Sequence, residues 1–253
     1  MSELHEAAKT GFSAGAGKYA SGRPDYPSEI AGWLNAALRL GPGRTAVDLG
    51  AGTGKFTPRL LATGARVIAV EPVAEMRARI AEAAPGAEIR AGDATALPLA
   101  DGEADAIVCA QAFHWFATAA ALAEMRRALK IGGQLGLVWN ERDESVPWVA
   151  ALVAILAPYE GDTPRFSSGR WREAFPAPGF APLSEQGFTH THVGPAERVV
   201  VDRLLSTSFV AALDATTRAE IADKARRVLA AHGLGATVAF PYKTRVFATP
   251  RLS

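Results

Sequence analysis

Cysteine is nearly missing from this chain. Cys109 stands alone among 253 residues, so no intrachain disulfide can form and no cysteine metal cluster can be built. Its place in an apolar run marks it as a small buried hydrophobe rather than a nucleophile. Long hydrophobic runs are also missing: none approaches the ~20 apolar residues of a membrane span. Met1 to Lys9 is polar and has no apolar signal core. There is no basic block, and the formal net charge is +1, which argues against a nucleic-acid partner. Internal repeats and a linker marking a second independent domain are absent too. The expected location is the cytoplasm. Because 49% of the residues are apolar, a sizeable core is available to one large α/β domain with cap elements.

The most informative stretch is Ala46-Val47-Asp48-Leu49-Gly50-Ala51-Gly52-Thr53-Gly54-Lys55-Phe56. A short apolar run ends beside an acid and passes into a turn with glycines at alternate positions. Phe56, Leu60 and Leu61 then follow at helical spacing. Strand, tight loop and helix in that order open a nucleotide-binding α/β unit. Dinucleotide sites use G-x-G-x-x-G, whose last glycine brings the helix close to the strand. Here the spacing is G-x-G-x-G.

Before this stretch, Arg23-Pro24-Asp25-Tyr26-Pro27 closes an irregular, Gly-rich leader that also holds Phe12 and Tyr19. Residues 1–27 are expected to form a lid segment or a plain leader. A helix capped by Ser28 carries Ile30, Trp33, Leu34 and Leu38 on one face. After the loop, Ala65 to Val70 reads as a second strand with Glu71 at its end, where doubly wound sheets place the acid that meets ribose hydroxyls. A helix over about 73–84 follows, with Met76 and Ile80 inward. A short third strand runs into Gly92-Asp93-Ala94, and the Asp93 carboxylate suits an exocyclic adenine amine.

Ala104 to Ala110 is a fourth strand that leads directly into Gln111-Ala112-Phe113-His114-Trp115-Phe116. Three aromatics and a histidine thus stand at the strand end where open α/β sheets bind ligands. They suit a ligand site, and they equally suit a cap on the core. A helix over Ala119–Lys130 and a fifth strand over Gln134–Trp139 come next, with Asn140 at the ligand end. Residues 44–140 form the expected cofactor-binding core.

Beyond residue 141 the pattern loosens. Residues 160–182 carry Arg165, Phe166, Arg170, Trp171 and Phe175 and read as a lid or as a long surface connection. Leu183 to Val193 is a sixth strand with His190 and His192 on one face; no carboxylate completes a metal set, and no metal site is expected. Two helices are expected over Arg198–Leu213 and Thr217–His232. Residues 141–182 and 198–232 are the expected cap and substrate elements. The final segments Ala236–Phe240 and Thr244–Ala248, broken by Pro241-Tyr242, read as an antiparallel edge strand.

Asp48 to Gly54, Glu71, Gly92-Asp93-Ala94, Ala110 to Phe116 and Lys130 to Gly133 together resemble class I S-adenosylmethionine (SAM) methyltransferases, the broad group that includes ubiquinone-biosynthesis-type enzymes. Tyr19 with Arg23 to Pro27, and the Ala-Gln-Ala-Phe-His-Trp-Phe run, look most like the trans-aconitate-type branch. The resemblance implies a Rossmann-like, doubly wound seven-stranded sheet, mostly parallel with an antiparallel last strand. It implies Asp48, Gly50 and Gly52 around the methionine end of SAM, Glu71 on the ribose and Asp93 on adenine, with Ala51, Pro72, Met76 and Ala94 also at the cofactor. Gln111 stands beside the cofactor, with Tyr19 and Arg23 closing over it, and S-adenosylhomocysteine is the product. Phe12, Tyr26, His114, Trp115 and Trp139 are the expected substrate residues. A carboxylate acceptor needs only positioning by a cation or hydrogen bond, whereas a hydroxyl needs a base, for which His114 is the candidate. The D/N-P-P-Y/F motif expected of enzymes that methylate DNA bases is replaced by Ala110-Gln111-Ala112-Phe113. The expected acceptor is therefore a small molecule, through oxygen. An NAD-dependent oxidoreductase is the first alternative, opposed by the glycine spacing and Asp93. A non-catalytic SAM-binding protein is the second.

Overall fold

The computed structural model describes residues 23–253. Phe12, Tyr19 and the rest of the leader up to residue 22 lie outside the described residues. The elements, in order, are α1 (Ile30–Ala36), β1 (Thr45–Leu49), α2 (Thr57–Leu61), β2 (Arg66–Val70), α3 (Ala74–Ala83), β3 (Glu88–Arg90) and β4 (Ala104–Ala110). There follow α4 (Ala119–Ala128), β5 (Leu129–Arg142), α5 (Pro147–Leu156), β6 (Ser184–Pro195), α6 (Arg203–Leu205), α7 (Ser208–Ala211), α8 (Ala215–Ala231) and β7 (Thr237–Pro250). Short 3₁₀ turns span Phe113–Trp115, Ala157–Tyr159 and Arg170–Ala174, and a π-helical turn spans Glu197–Asp202.

All seven strands join one sheet in the order β3-β2-β1-β4-β5-β7-β6. β1 to β5 pair in parallel, and β7 runs antiparallel to both β5 and β6. The expected doubly wound sheet with an antiparallel last strand is therefore present. β1 lies between β2 and β4, so the chain reverses its direction of travel across the sheet there. That switch point opens a crevice at the C-terminal ends of β1 and β4. β4 is buried on both faces, which explains its unbroken apolar run.

Helices cover both faces. On one side Met125, Trp139, Trp171 and Phe247 share a core with Phe113. Trp33, Leu34, Leu60 and Val246 form the other. A third cluster joins α5 and α8 to Phe240 and Tyr242 of β7.

Several boundaries differ from the sequence reading. Ser28 does not cap α1; its hydroxyl donates to Glu29 (3.0 Å), and Glu29 holds the cap position with no side-chain cap bond. The helix before β5 stops at Ala128, because Leu129 already pairs with Ala104 across an irregularity in the ladder. The helix expected over Arg198–Leu213 is broken into the π turn, α6 and α7. β7 is not an edge strand: it lies between β5 and β6, and Pro241 sits within this continuous 14-residue strand opposite Thr191. The edge belongs to β6.

Part of the segment 160–182 is built into the core. Trp171 is 2% exposed. Its ring packs 4.7 Å from that of Trp139 and 5.0 Å from that of Phe247. Arg172 covers the Trp171 ring from outside at 4.6 Å. Trp171→Ala is expected to destabilise the fold by about 3–5 kcal/mol, the usual cost of emptying an aromatic core position. Chemical denaturation measures it; an unchanged midpoint would mean that the segment is only draped over the sheet.

Candidate active site

The loop after β1 is tied down by its neighbour strand. The N–H groups of Gly50 and Ala51 both donate to Val70 O, at 2.9 and 3.2 Å. Gly50 has φ +70°, and a Cβ there would stand 2.8 Å from the Ala112 Cβ, so only glycine fits. Gly52 has φ +59°, yet a Cβ there would meet nothing within 4 Å. Its missing side chain leaves open space over the cavity instead of making room for protein.

Two carboxylates stand behind this loop. Glu71 accepts from Gly52 N–H through Oε2 (2.9 Å) and from Val73 N–H through Oε1 (3.0 Å). Burial raises its pKa against those two bonds. Asp48 is 1% exposed. Its Oδ2 accepts from the Thr57 hydroxyl (2.7 Å), while Oδ1 is buried with no partner. Burial pushes the Asp48 carboxyl up to about 7, opposed by the Thr57 bond and assisted by the Glu71 charge. Asp93 sits in a turn, where Oδ1 accepts from Thr95 N–H (2.7 Å) and Thr95 Oγ1 (2.6 Å), and these bonds lower its pKa despite partial burial.

Along this crevice lies one cavity. Asp48, Gly50, Ala51, Gly52, Glu71, Pro72, Met76, Asp93, Ala94, Gln111 and Arg23 all line it. Of the expected cofactor residues, Tyr19 alone falls outside the described residues. Tyr26, expected at the substrate, lines this cavity too, its ring edge-on to Phe56 at 4.7 Å. Lys55 donates from Nζ to Arg23 O (2.9 Å), and burial lowers its pKa. Cys109 is fully buried and burial raises its thiol pKa, in keeping with a packing role.

A second cavity adjoins the first. Arg23, Gln111, Trp115, Asn140 and Arg203 line both. Gln111 has φ +59°, unusual for a side chain of its size, and is held there at both ends. Its N–H donates to Val138 O (2.8 Å) and its side-chain amide to Asn140 O (3.1 Å). Asn140 in turn donates to Asp25 O (3.1 Å) and accepts from the Thr244 hydroxyl (2.6 Å). The second cavity also takes in His114, Trp139, Arg142, Glu144, Arg165 and Phe209. His114 accepts at Nδ1 from the Trp139 indole N–H (3.0 Å). Arg170 is absent from this lining; its side chain is two-thirds exposed and 3.9 Å from Asp162.

Four arginines, Arg23, Arg142, Arg165 and Arg203, line this second cavity together with Glu141 and Glu144. Arg142 donates to the Thr207 hydroxyl (3.1 Å), and its Nε is buried without a partner. Arg203 has Nε and Nη1 in the same condition. Arg165 is ion-paired with Glu160. Burial, and then the Arg203 charge, push Arg142 down to about 9. Among the described residues no carboxylate forms an ion pair with Arg142 or Arg203.

The family model for a methyltransferase domain matches residues 47–137, the stretch from β1 into β5. An uncharacterized methyltransferase of Mycobacterium tuberculosis (strain ATCC 25618 / H37Rv) is 37% identical over 236 residues, 92% of each chain. The chain belongs to the methyltransferase family. An uncharacterized methyltransferase-like protein of Schizosaccharomyces pombe is 43% identical to this methyltransferase over 173 residues, 68% of each chain. A proposed type II methyltransferase from Anaeromyxobacter dehalogenans has the same fold, with TM-score 0.65 and 24% identity, covering 91% of this chain and 98% of that one. So does the [4+2]-cyclase SpnF, with TM-score 0.54 and 16% identity, covering 91% and 84%. These likenesses extend to the fold and not to a choice of acceptor.

His190 and His192 lie on the edge strand of the methyltransferase, and the His190 ring stacks on Tyr242 with Nδ1 3.3 Å from the Thr244 hydroxyl. No group of three or more possible metal ligands occurs among the described residues. No described helix is long and apolar enough to cross a membrane.

Asp48 generates a pH prediction. Its folded pKa of about 7 lies above the ordinary aspartate value of 3.8, so the folded state holds the proton more tightly than the unfolded chain. Stability of the ligand-free protein should therefore fall as pH rises from about 4 to about 7, by on the order of a few kcal/mol. In Asp48→Asn that fall should shrink, because an amide keeps the Thr57 bond and never ionises. Urea denaturation at pH 5 and pH 8 measures both proteins; equal pH dependence would remove Asp48 as the cause.

Proposed function

We propose that this methyltransferase carries a methyl group from SAM to a carboxylate oxygen of a small molecule. The observation behind this reading is a pair of buried acids, Asp48 and Glu71, behind one cavity and a cluster of guanidinium groups along the cavity that adjoins it. The first cavity suits a cation. The second is lined by Arg142, Arg165 and Arg203 and suits an anion.

The first cavity fits SAM on its own terms. Asp48 Oδ1 is an orphaned buried acceptor that a methionine ammonium would satisfy, and Gly52 leaves the approach open. Asp48, Gly50, Ala51 and Gly52 would hold the amino-acid end, Glu71 the ribose and Asp93 the adenine amine, with Gln111 beside the cofactor. Bound SAM supplies a methyl group on a positively charged sulfur, which a carboxylate oxygen can take without first losing a proton.

The chain's own part is alignment and exclusion of water. Trp115 borders both cavities and can present a ring face to a cation. Gln111 and Asn140, cross-bonded to each other and to the chain at residue 25, fix the passage between the cavities. A buried guanidinium without an anion is costly; an acceptor carboxylate beside Arg142 and Arg203 would offset that cost. This gives binding energy to the anion and none to an amine. Nothing in the two cavities favours a nucleic acid.

Methyl-labelled SAM incubated with a small-metabolite extract, followed by base treatment, tests the reading. The expected product releases its label as methanol. Base-stable label would exclude an ester. Arg142→Met keeps most of the stem packing and removes the charge; it should raise KM for the acceptor by about 10-fold or more, with S-adenosylhomocysteine affinity by calorimetry unchanged. An unchanged KM would take Arg142 out of acceptor binding.

A further inference from the structure

We infer that Trp139 fixes His114 as a hydrogen-bond donor facing the acceptor cavity, so that the group this histidine meets is a hydrogen-bond acceptor, as a carboxylate oxygen is. The inference rests on the reading of that cavity as an acceptor site for methyl transfer, and adds a positioning pair to it.

An indole N–H can only donate. With Trp139 Nε1 3.0 Å from His114 Nδ1, Nδ1 must offer its lone pair. The one proton of a neutral imidazole then belongs on Nε2. Protonating the ring would set an Nδ1–H against the indole N–H, donor against donor, so the same contact also selects the neutral form. The histidine named as a general base in the sequence reading is thus badly placed for that task. Its basic nitrogen is covered by the indole, and the other already carries hydrogen.

The indole is not free to turn away. Trp139 is 1% exposed, with the rings of Phe166 and Trp171 each 4.7 Å away and Phe247 at 5.8 Å. The fixed core therefore reaches through one hydrogen bond into the cavity wall. The ring of His114 leans on Trp115 at 5.2 Å. The charges that act on it are Arg165 from the segment after α5 and Arg23 from the segment before α1. Burial first, then those two cations, hold its pKa down to about 3. The charges that act on His114 itself are thus both cations, while the carboxylates of Glu141 and Glu144 stand elsewhere in the lining. A donor at Nε2 beside those cations suits an oxygen lone pair.

Two measurements separate this inference from the methyl-transfer reading. Long-range proton–nitrogen correlation spectra of the uniformly ¹⁵N-labelled full chain report the His114 tautomer without any turnover. One neutral Nε2–H form, unchanged from pH 5 to pH 8, is expected, and Trp139→Phe should leave the ring neutral but let the Nδ1–H and Nε2–H forms mix. An Nδ1–H form, or titration in the unsubstituted protein, would overturn the inference. The second measurement is methyl-ester formation with a mixed carboxylic-acid pool as the probe. His114→Asn keeps an oxygen for Trp139 but loses the donor; it should raise KM about 10-fold with kcat changed far less. His114→Gln places an amide nitrogen near the Nε2 position and should recover most of that loss. The reverse order of the two variants would mean that His114 only supports Trp139. An equal collapse of kcat in both, with an acid limb in the pH profile of the unsubstituted protein, would restore the base. If the unsubstituted protein forms no ester, the methyl-transfer reading fails while the spectra still decide the tautomer.

Discussion

A buried carboxylate that lacks a full set of partners organises this molecule. Asp48 stands one residue before the end of the central strand of the parallel set, and only one of its oxygens is bonded. Keeping such a group out of water is unfavourable, and the surrounding fold tolerates it because β1 is flanked by β2 and β4 over its length. The loop that follows is held to β2 by paired backbone bonds and by Glu71. The first cavity is therefore built from backbone and two acids. None of these parts depends on a long, flexible side chain.

The second cavity is built in the opposite way. Its charges ride on arginines that come from β5, from the segment after α5 and from α6. Their long stems cross apolar surface before the guanidinium reaches the cavity. Arg165 has an internal partner in Glu160, whereas Arg142 has only the Thr207 hydroxyl. The two halves divide the work: a rigid acidic cradle and an adaptable basic wall meet at Gln111, Asn140 and Arg203. A fold shared by proteins of different chemistry can keep the first half and vary the second.

The cradle is legible in the sequence because its signals are local. Three glycines at alternate positions after an apolar run and an acid define both the turn and its ligand side. Glu71 and Asp93 then recur at the ends of the next two strands. The cap is less legible. Arg142, Arg203 and Thr207 are spread over 66 residues with no periodic pattern, and the packing of α6 and α7 with α5, α8 and β7 brings them together. Phe166 and Trp171 mislead in another way: aromatics in a Gly- and Pro-rich stretch resemble a mobile cover, yet they fill the space beside Trp139. Pro241 suggests a strand break because it lacks an N–H, but the ladder continues through it. The role of His114 is hidden for a different reason. Its tautomer is set by Trp139, a residue 25 positions away.

The order of strands also bears on how the chain is made. β6 has no partner in the sheet except β7, and β7 follows it by some forty residues in synthesis. Until β7 emerges and lies down along β5, β6 has no place to go. During translation the five parallel strands can assemble while β6, α6, α7 and α8 wait. Closure of the sheet, packing of the cap on Phe240 and Tyr242, and assembly of the basic wall then become one late, long-range event. The acidic cradle can exist on a growing chain before the wall that completes it.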